Sequence, residues 1–340
     1  KIGSRFFVWA WTIPAMMGSL VLTLLGINRT EIQFLYLFLM GASFGLGLPS
    51  CLAYFANNTS IENRGRVGAI TFFFTTLAFV MLAILAKVLD LQSFTAFSFI
   101  WALLGLFFNL SLKVTREITG KKISLKLIVT DKRFLFYFIP WVMFCFIDAF
   151  EAPILQNHVI NSFGDDFRDS LRLIETSIVA FAIFLTGFLI DYYGRRKILF
   201  YGFISLGVAH ALVGVASWSV LSWYTYAVIN GFALGVFIVT FVFTVWGDLS
   251  PEYVREKYYA VGTLPFFLIM FMQKLIEPYI LKIQVSAAFS FASFFLFLAV
   301  WPLFNAPETL PEELLEARRL RSYVEKAKRI REKHVKKSKG

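Results

Sequence analysis

The chain has 340 residues, 58% of them hydrophobic and 16% charged, with a formal net charge of +11. Soluble domains average about 45–50% apolar and 25% charged residues, so a soluble multidomain enzyme is excluded first. The mean hydropathy of +0.68 agrees, and ten membrane helices of ~20 residues would use about the apolar stock present.

Before the spans, residues 1–5 carry Lys1 and Arg5. Hydropathy then places spans at 6–27, 34–56, 67–87 and 94–112, and after an interruption at 134–156, 171–191, 198–217, 223–246, 262–283 and 285–304. Each is near the ~17–25 residues that a helix needs to cross a bilayer. Period-2 alternation is absent, which does not fit a membrane β-barrel. Phe, the most frequent aromatic with 41 residues against 13 Tyr and 8 Trp, lacks a polar handle and suits a lipid-facing surface. The expected organisation is an N-terminal bundle at 1–112, a linker at 113–133, a six-helix bundle at 134–305 and a basic tail at 306–340.

Orientation follows from Lys and Arg. The loops on one side carry 27 of them and those on the other carry five, which assigns the first side, and with it both termini, to the cytoplasm. A multi-pass cell-membrane protein follows. The positive charge thus borders lipid and does not indicate nucleic acid. In the tail, Thr309 to Glu312 fits a capping box and opens a cytoplasmic helix with acidic early turns and basic later ones. That helix either contacts anionic lipid heads or is simply solvated.

Cys51, Cys145, His158, His210 and His334 are too scattered for a disulfide framework or a metal site and read as structural. No cofactor is expected.

The two halves repeat. Gly41–Gly45 in the second span matches Gly231–Gly235 in the eighth, each a small-xxx-small step that lets helices approach closely. Arg64 and Arg255 follow at matching offsets, and Lys1-Ile2 matches Lys197-Ile198. The second half then has six spans against four. On this reading the ten spans are part of twelve, two precede Lys1, and the ten alone should not transport.

Between the sixth and seventh spans lies Gly187-Phe-Leu-Ile-Asp191-Tyr-Tyr-Gly194-Arg195-Arg196-Lys197. A carboxylate at a helix end can accept the free N–H groups of a neighbouring helix N-terminus, and arginines can clamp carboxylates bidentately. Such a loop can latch one bundle to another. The segment resembles the G-x-L-x-D-x-x-G-R-[RK] loop of the major facilitator superfamily, with Tyr192 where that family usually has an arginine. Asp248-Leu-Ser-Pro251-Glu-Tyr-Val-Arg255 is similar to the E-x-x-P-x-x-x-R loop of its sugar-porter branch, Asn57 to Arg66 to the first-half counterpart, and Pro307-Glu308-Thr309 to the P-E-T tail. The resemblance implies an all-α major facilitator fold of two helical bundles, with acids and arginines pairing across them on the cytoplasmic side. Asp248 should then face Arg64. Asn57 stands where an acid is usual, so Arg255 should lack its partner unless Glu62 or Glu308 replaces it.

Charges inside spans are costly and mark function by default. Asp148 and Glu151 lie three apart on the fifth span, Lys274 and Glu277 three apart on the ninth, and Glu175 is near the outer end of the sixth. Pro140 and Pro153 bracket the acidic pair, and Pro265 and Pro278 the Lys–Glu pair, favouring helix breaks. By resemblance the fifth span lines the central cavity and the ninth flanks it. The sharper expectation is a polar outer-half cavity with Lys274 paired to Glu277 or Asp148, a spare acid for a proton or cationic group, and Trp141 as a stacking ring. The alternative places Glu151 and Glu277 in water at the outer interface. The fifth span lacks a Gln-rich sugar signature, having only Gln156 and Asn157 near its end.

The resulting expectation is a monomeric secondary transporter moving a small polar solute by alternating access, coupled to protons. A membrane sensor that kept the fold is the alternative. No phosphate-binding loop is present, and no His/Cys/Asp cluster supports an enzyme.

Overall fold

A computed structural model describes residues 4–26, 29–111 and 124–317 and, in the tail, residues 320, 323, 324, 327 and 328. Each apolar run has become a helix, because a backbone in lipid must satisfy its hydrogen bonds internally. In order these are α1 (Ser4–Leu25), α2 (Thr30–Asn57), α3 (Arg64–Val88), α4 (Leu91–Ser111), the short α5 (Leu125–Thr130), α6 (Lys132–Phe163), α7 (Asp165–Tyr193), α8 (Arg195–Val215), α9 (Val220–Phe237), α10 (Trp246–Leu249), α11 (Arg255–Ile280) and α12 (Val285–Asn305). A π-helical stretch, Ile238–Val245, joins α9 to α10 so that one rod runs from Val220 to Leu249.

Among the described residues, nine helices are long and apolar enough to cross a membrane, and the apolar stretch Trp11–Leu25 of α1 is shorter. The ends of α6 and α7 extend past the spans marked by hydropathy. Residues 157–163 and 165–170 are too polar for lipid, yet they continue the helices until Gly164, at φ +88°, turns the chain. Ser124 caps α5 and Asp131 caps α6, each accepting a backbone N–H two residues on. Much of the basic linker, 112–123, lies outside the described residues, as do the expected opening residues Lys1 and Ile2 and His334.

α1 packs on α2 and α4. A second group is built from α6 with α11 and α12, α7 with α9, and α8 with α9 and α12. The two groups meet through α3 against α7 and the π-helical stretch, and through α2 against α11. The repeated glycine steps differ in their surroundings. A Cβ on Gly231 would lie 2.8 Å from the Glu175 carbonyl oxygen, and one on Gly235 2.6 Å from Ala182 Cβ, so α9 and α7 touch there. Nothing lies within 4 Å of Cβ positions at Gly41 and Gly45.

The expected capping box at Thr309 does not form. The Thr309 hydroxyl donates instead to Asp248 Oδ2 at 3.1 Å, and residues 312–317 form the helix after Pro311. A buried carboxylate is a stronger acceptor demand than a solvated N-terminus, so the side chain is drawn inward.

Candidate functional site

At the end of the molecule carrying the loops after α2, α7, α10 and α12, charged side chains join the two groups of helices. The α2–α3 loop sets Arg64 at the start of α3, and the end of α10 sets Asp248 opposite it. Arg64 Nη1 pairs with Asp248 Oδ1, with both side chains almost fully buried. The remaining Arg64 donors reach the carbonyls of Ala56, at 2.8 Å, and Thr59, at 3.3 Å. Arg195, wholly buried, lies 3.1 Å from Asp248 Oδ2 and 3.2 Å from Asp191 Oδ1, and donates to the carbonyl of Ile61 across the interface.

Asp191 closes the same junction. Its Oδ1 accepts the N–H of Gly65 at 3.1 Å and its Oδ2 that of Arg66 at 2.9 Å, with Arg66 Nε 3.2 Å away. A carboxylate from α7 thus sits on the N-terminus of α3, where free N–H groups and the helix dipole favour negative charge. Close approach is required here. A Cβ on Gly65 would lie 2.5 Å from Asp191 Oδ1, and one on Gly187 2.7 Å from the Gly65 carbonyl oxygen. Gly194, at φ +98°, supplies the turn from α7 into α8.

Arg196 and Arg255 depart from expectation. Arg196 donates to the Ala306 carbonyl at 2.9 Å rather than clamping an acid. Arg255 does have a cross-group partner, but it is neither Glu62 nor Glu308: Nη1 donates to Asn57 Oδ1 and, at 3.2 Å, to the Ala56 carbonyl. Asn57 therefore fills the acid's place with a neutral acceptor. Glu308 is occupied elsewhere, accepting the N–H groups of Arg195 at 2.8 Å and Arg196 at 3.1 Å and so anchoring the start of α8. Tyr137, which sequence reasoning passed over, donates its hydroxyl to the Pro307 carbonyl at 2.6 Å and holds the same strap to α6.

Deeper in the second group lies a separate polar cluster. Glu151 of α6 is 5% exposed. One of its oxygens contacts His210 Nε2 of α8, and the other accepts the Tyr226 hydroxyl of α9 at 2.6 Å. Glu175 of α7 accepts from Asn230 Nδ2 at 2.8 Å. Asp148, half-buried one turn before Glu151, is close enough to Glu151, Glu175 and His210 to feel their charges. Sequence reasoning named the three acids but took His210 as merely structural. The need of a buried carboxylate for a partner was the signal that could have found it. Among the described residues no group of three or more His, Cys, Asp or Glu is arranged to hold a metal ion.

The remaining cavity residues are not gathered with these. Lys274 pairs with Glu277 at 3.0 Å, but the lysine is exposed and does not meet Asp148, because both members project from an outward-facing stretch of α11. Trp141 is 2% exposed, donates its indole N–H to the Gly262 carbonyl at 2.8 Å and stacks among Phe144 and Phe241, so it offers no free ring to a ligand. A cavity of about 880 Å³ does open between α6, α11 and α12. Among the described residues, Glu151 is the one carboxylate in its wall, which is otherwise formed by residues such as Phe146, Phe150, Ile280 and Phe291.

Helices grouped in this way occur in solved structures. The chain aligns with FucP in its outward conformation at a TM-score of 0.67 and 9% identity, covering 90% of this chain and 83% of that one. The fold is that of the major facilitator superfamily. The proton:xylose symporter XylE, bound to 6-bromo-6-deoxy-D-glucose, matches at TM-score 0.61 and 16% identity over 92% of this chain and 82% of its own. The human organic anion transporter MFSD10 matches at TM-score 0.60 and 15% identity over 88% and 77%. In sequence, residues 162–320 match the family model described as "Sugar (and other) transporter". No curated protein matches it in sequence.

Proposed function

We propose that the protein is a secondary transporter that moves a small polar solute across the cell membrane by alternating access, coupled to protons, with the charged end facing the cytoplasm. The observation that carries this reading is the nature of the junction between the two groups of helices. At the charged end it consists of exchanged charges and capped helix termini: Arg64 on Asp248, Arg195 on the Ile61 carbonyl, and Asp191 on Gly65 and Arg66. Such contacts form or break as a set, because a buried charge that loses its partner costs about 3–5 kcal/mol. A junction of this kind has two states, closed or solvated, which is what a gate requires.

Several neighbours in fold support the solute class. XylE is described as a proton:xylose symporter and MFSD10 as an organic anion transporter, and both sugars and organic acids are small and polar. The buried carboxylate Glu151, with half-buried Asp148 and Glu175 near it, supplies protonatable groups inside the helical group. Arg64, Asp191, Arg195, Asp248 and Arg255 act as the gate in this reading, with Glu308 anchoring it. The protein works as a monomer in lipid and uses no cofactor.

Counterflow in proteoliposomes with the full-length protein, run across sugars, organic acids and amines at several pH values, is the direct test. Saturable exchange of one solute class supports the reading. No exchange of any class with well-folded protein overturns it.

A further inference from the structure

His210 makes two hydrogen bonds whose directions are fixed by chemistry. Nδ1 lies 2.8 Å from the carbonyl oxygen of Leu206. A carbonyl only accepts, so Nδ1 carries a hydrogen. Nε2 faces Glu151 Oε2 at hydrogen-bond distance, and that contact also needs one hydrogen. Either the imidazole is protonated beside a carboxylate, or a neutral imidazole accepts from a carboxylic acid. Tyr226 donates to the other Glu151 oxygen in both cases. With its proton the pair is neutral overall. Without it, a carboxylate oxygen and an imidazole lone pair face each other and carry net negative charge in a site that is almost fully buried.

We propose that Glu151 and His210 form a single-proton site whose occupancy ties α6 to α8 and stabilises the conformation in which the charged end is closed. Loss of the proton turns a hydrogen bond into a repulsion between two helices. α6 is able to respond, since Pro140 and Pro153 interrupt its hydrogen-bond ladder on either side of Glu151. Two further carboxyl groups lie near the pair, Asp148 on α6 and Glu175 on α7. Tyr226 on α9 donates, Phe289 of α12 stacks on the imidazole with ring centroids 5.3 Å apart, and α11 contributes Tyr279 to the cavity wall beside Glu151. The Lys274–Glu277 pair on α11 neutralises itself.

The inference deepens the transport reading but is tested without a substrate. Spin labels at Glu62 and Tyr253, in loops of the two helical groups at the charged end, report gate closure in the full chain in nanodiscs, in a C51S/C145S background. The closed fraction is expected to fall along a single-proton curve as pH rises. Glu151→Gln presents an amide that donates to neutral His210 and still accepts from Tyr226, so its gate should stay closed at every pH. Tyr226→Phe removes a donor to the anionic form and should move the midpoint to higher pH. A gate that ignores pH in the parent, or a pH response unchanged in both variants, overturns the proposal. If the gate follows Glu151 while no solute exchanges in proteoliposomes, the transport reading fails and the proton site stands. If solutes exchange but the gate ignores Glu151, the proton site alone fails.

Discussion

Asp191, the last acid of α7, accepts the backbone N–H of Gly65 at 3.1 Å, although the two residues belong to different helical groups. The contact combines three causes. The absence of a side chain at Gly65 admits the carboxylate, the free N–H groups at the start of α3 receive it, and Arg66 and Arg195 balance its charge. One side chain therefore reports whether the groups are together.

Asp191→Asn should open this junction. The amide keeps one acceptor oxygen but loses both ion pairs, and its NH2 faces donors on Arg66 and Arg195. Arg195 keeps Asp248 and Arg66 is partly solvated, so the cost is that of poorly satisfied buried hydrogen bonds, about 1–3 kcal/mol, which shifts a two-state equilibrium roughly 5- to 150-fold. Accessibility of a cysteine placed at Ile61, whose carbonyl Arg195 contacts, measures it. Labelling rates equal to those of the parent would remove Asp191 from the gate.

The fold was legible because lipid enforces a simple rule: an apolar run of about 20 residues must be a helix. Ten such runs correspond to α1–α4, α6–α8, the rod from Val220 to Leu249, α11 and α12. The polar continuations of α6 and α7 were not visible, since hydropathy measures contact with lipid and not helix length. The residues of the charged junction stood out because arginines, acids and glycines cluster in short loops between apolar runs. Their partners were only partly legible. Arg64–Asp248 follows from matching motifs, whereas Arg255–Asn57 depends on a carbonyl and an amide that carry no charge signature. His210 sits in an apolar run 59 residues from Glu151, and only tertiary packing brings them together.

Gly65→Ala tests the role of close approach separately from charge. The added methyl would lie 2.5 Å from Asp191 Oδ1 and 2.7 Å from Ile190 Cγ1, so α3 must move away from α7. Overpacking of this kind costs roughly 1–3 kcal/mol. We expect a lower population of the closed gate with a small change in the thermal stability of the second helical group. Equal loss of both, by label distance and by differential scanning, would instead make Gly65 a general packing residue.

Arg64 and Asp248 should show strong coupling in a double-mutant cycle. Arg64→Ala leaves Asp248 with Arg195 and the Thr309 hydroxyl, and Asp248→Ala leaves Arg64 with neutral acceptors, the Ala56 and Thr59 carbonyls and the Thr59 hydroxyl. The second change should therefore be the more damaging to closure. The double variant should be less damaging than the two effects added, with a coupling term within the usual range of about 0.5–3 kcal/mol for contacting residues. Additive effects would show that the two side chains act independently despite their contact.

Asp148→Asn separates solute binding from proton coupling. Asp148 is half-buried one turn from Glu151 and, among the described residues, is held by no hydrogen bond or ion pair, so its carboxylate is free to exchange a proton with whatever enters beside α6. Removing its charge should abolish concentrative uptake driven by a pH gradient while leaving counterflow, which needs no net proton movement, within a fewfold of the parent. Glu151→Gln is expected to slow both, because it holds the gate in one state and exchange needs two. Unchanged pH-driven uptake in Asp148→Asn would place coupling elsewhere. Loss of counterflow and uptake together would make Asp148 part of the solute site, since a pure coupling residue is dispensable for exchange.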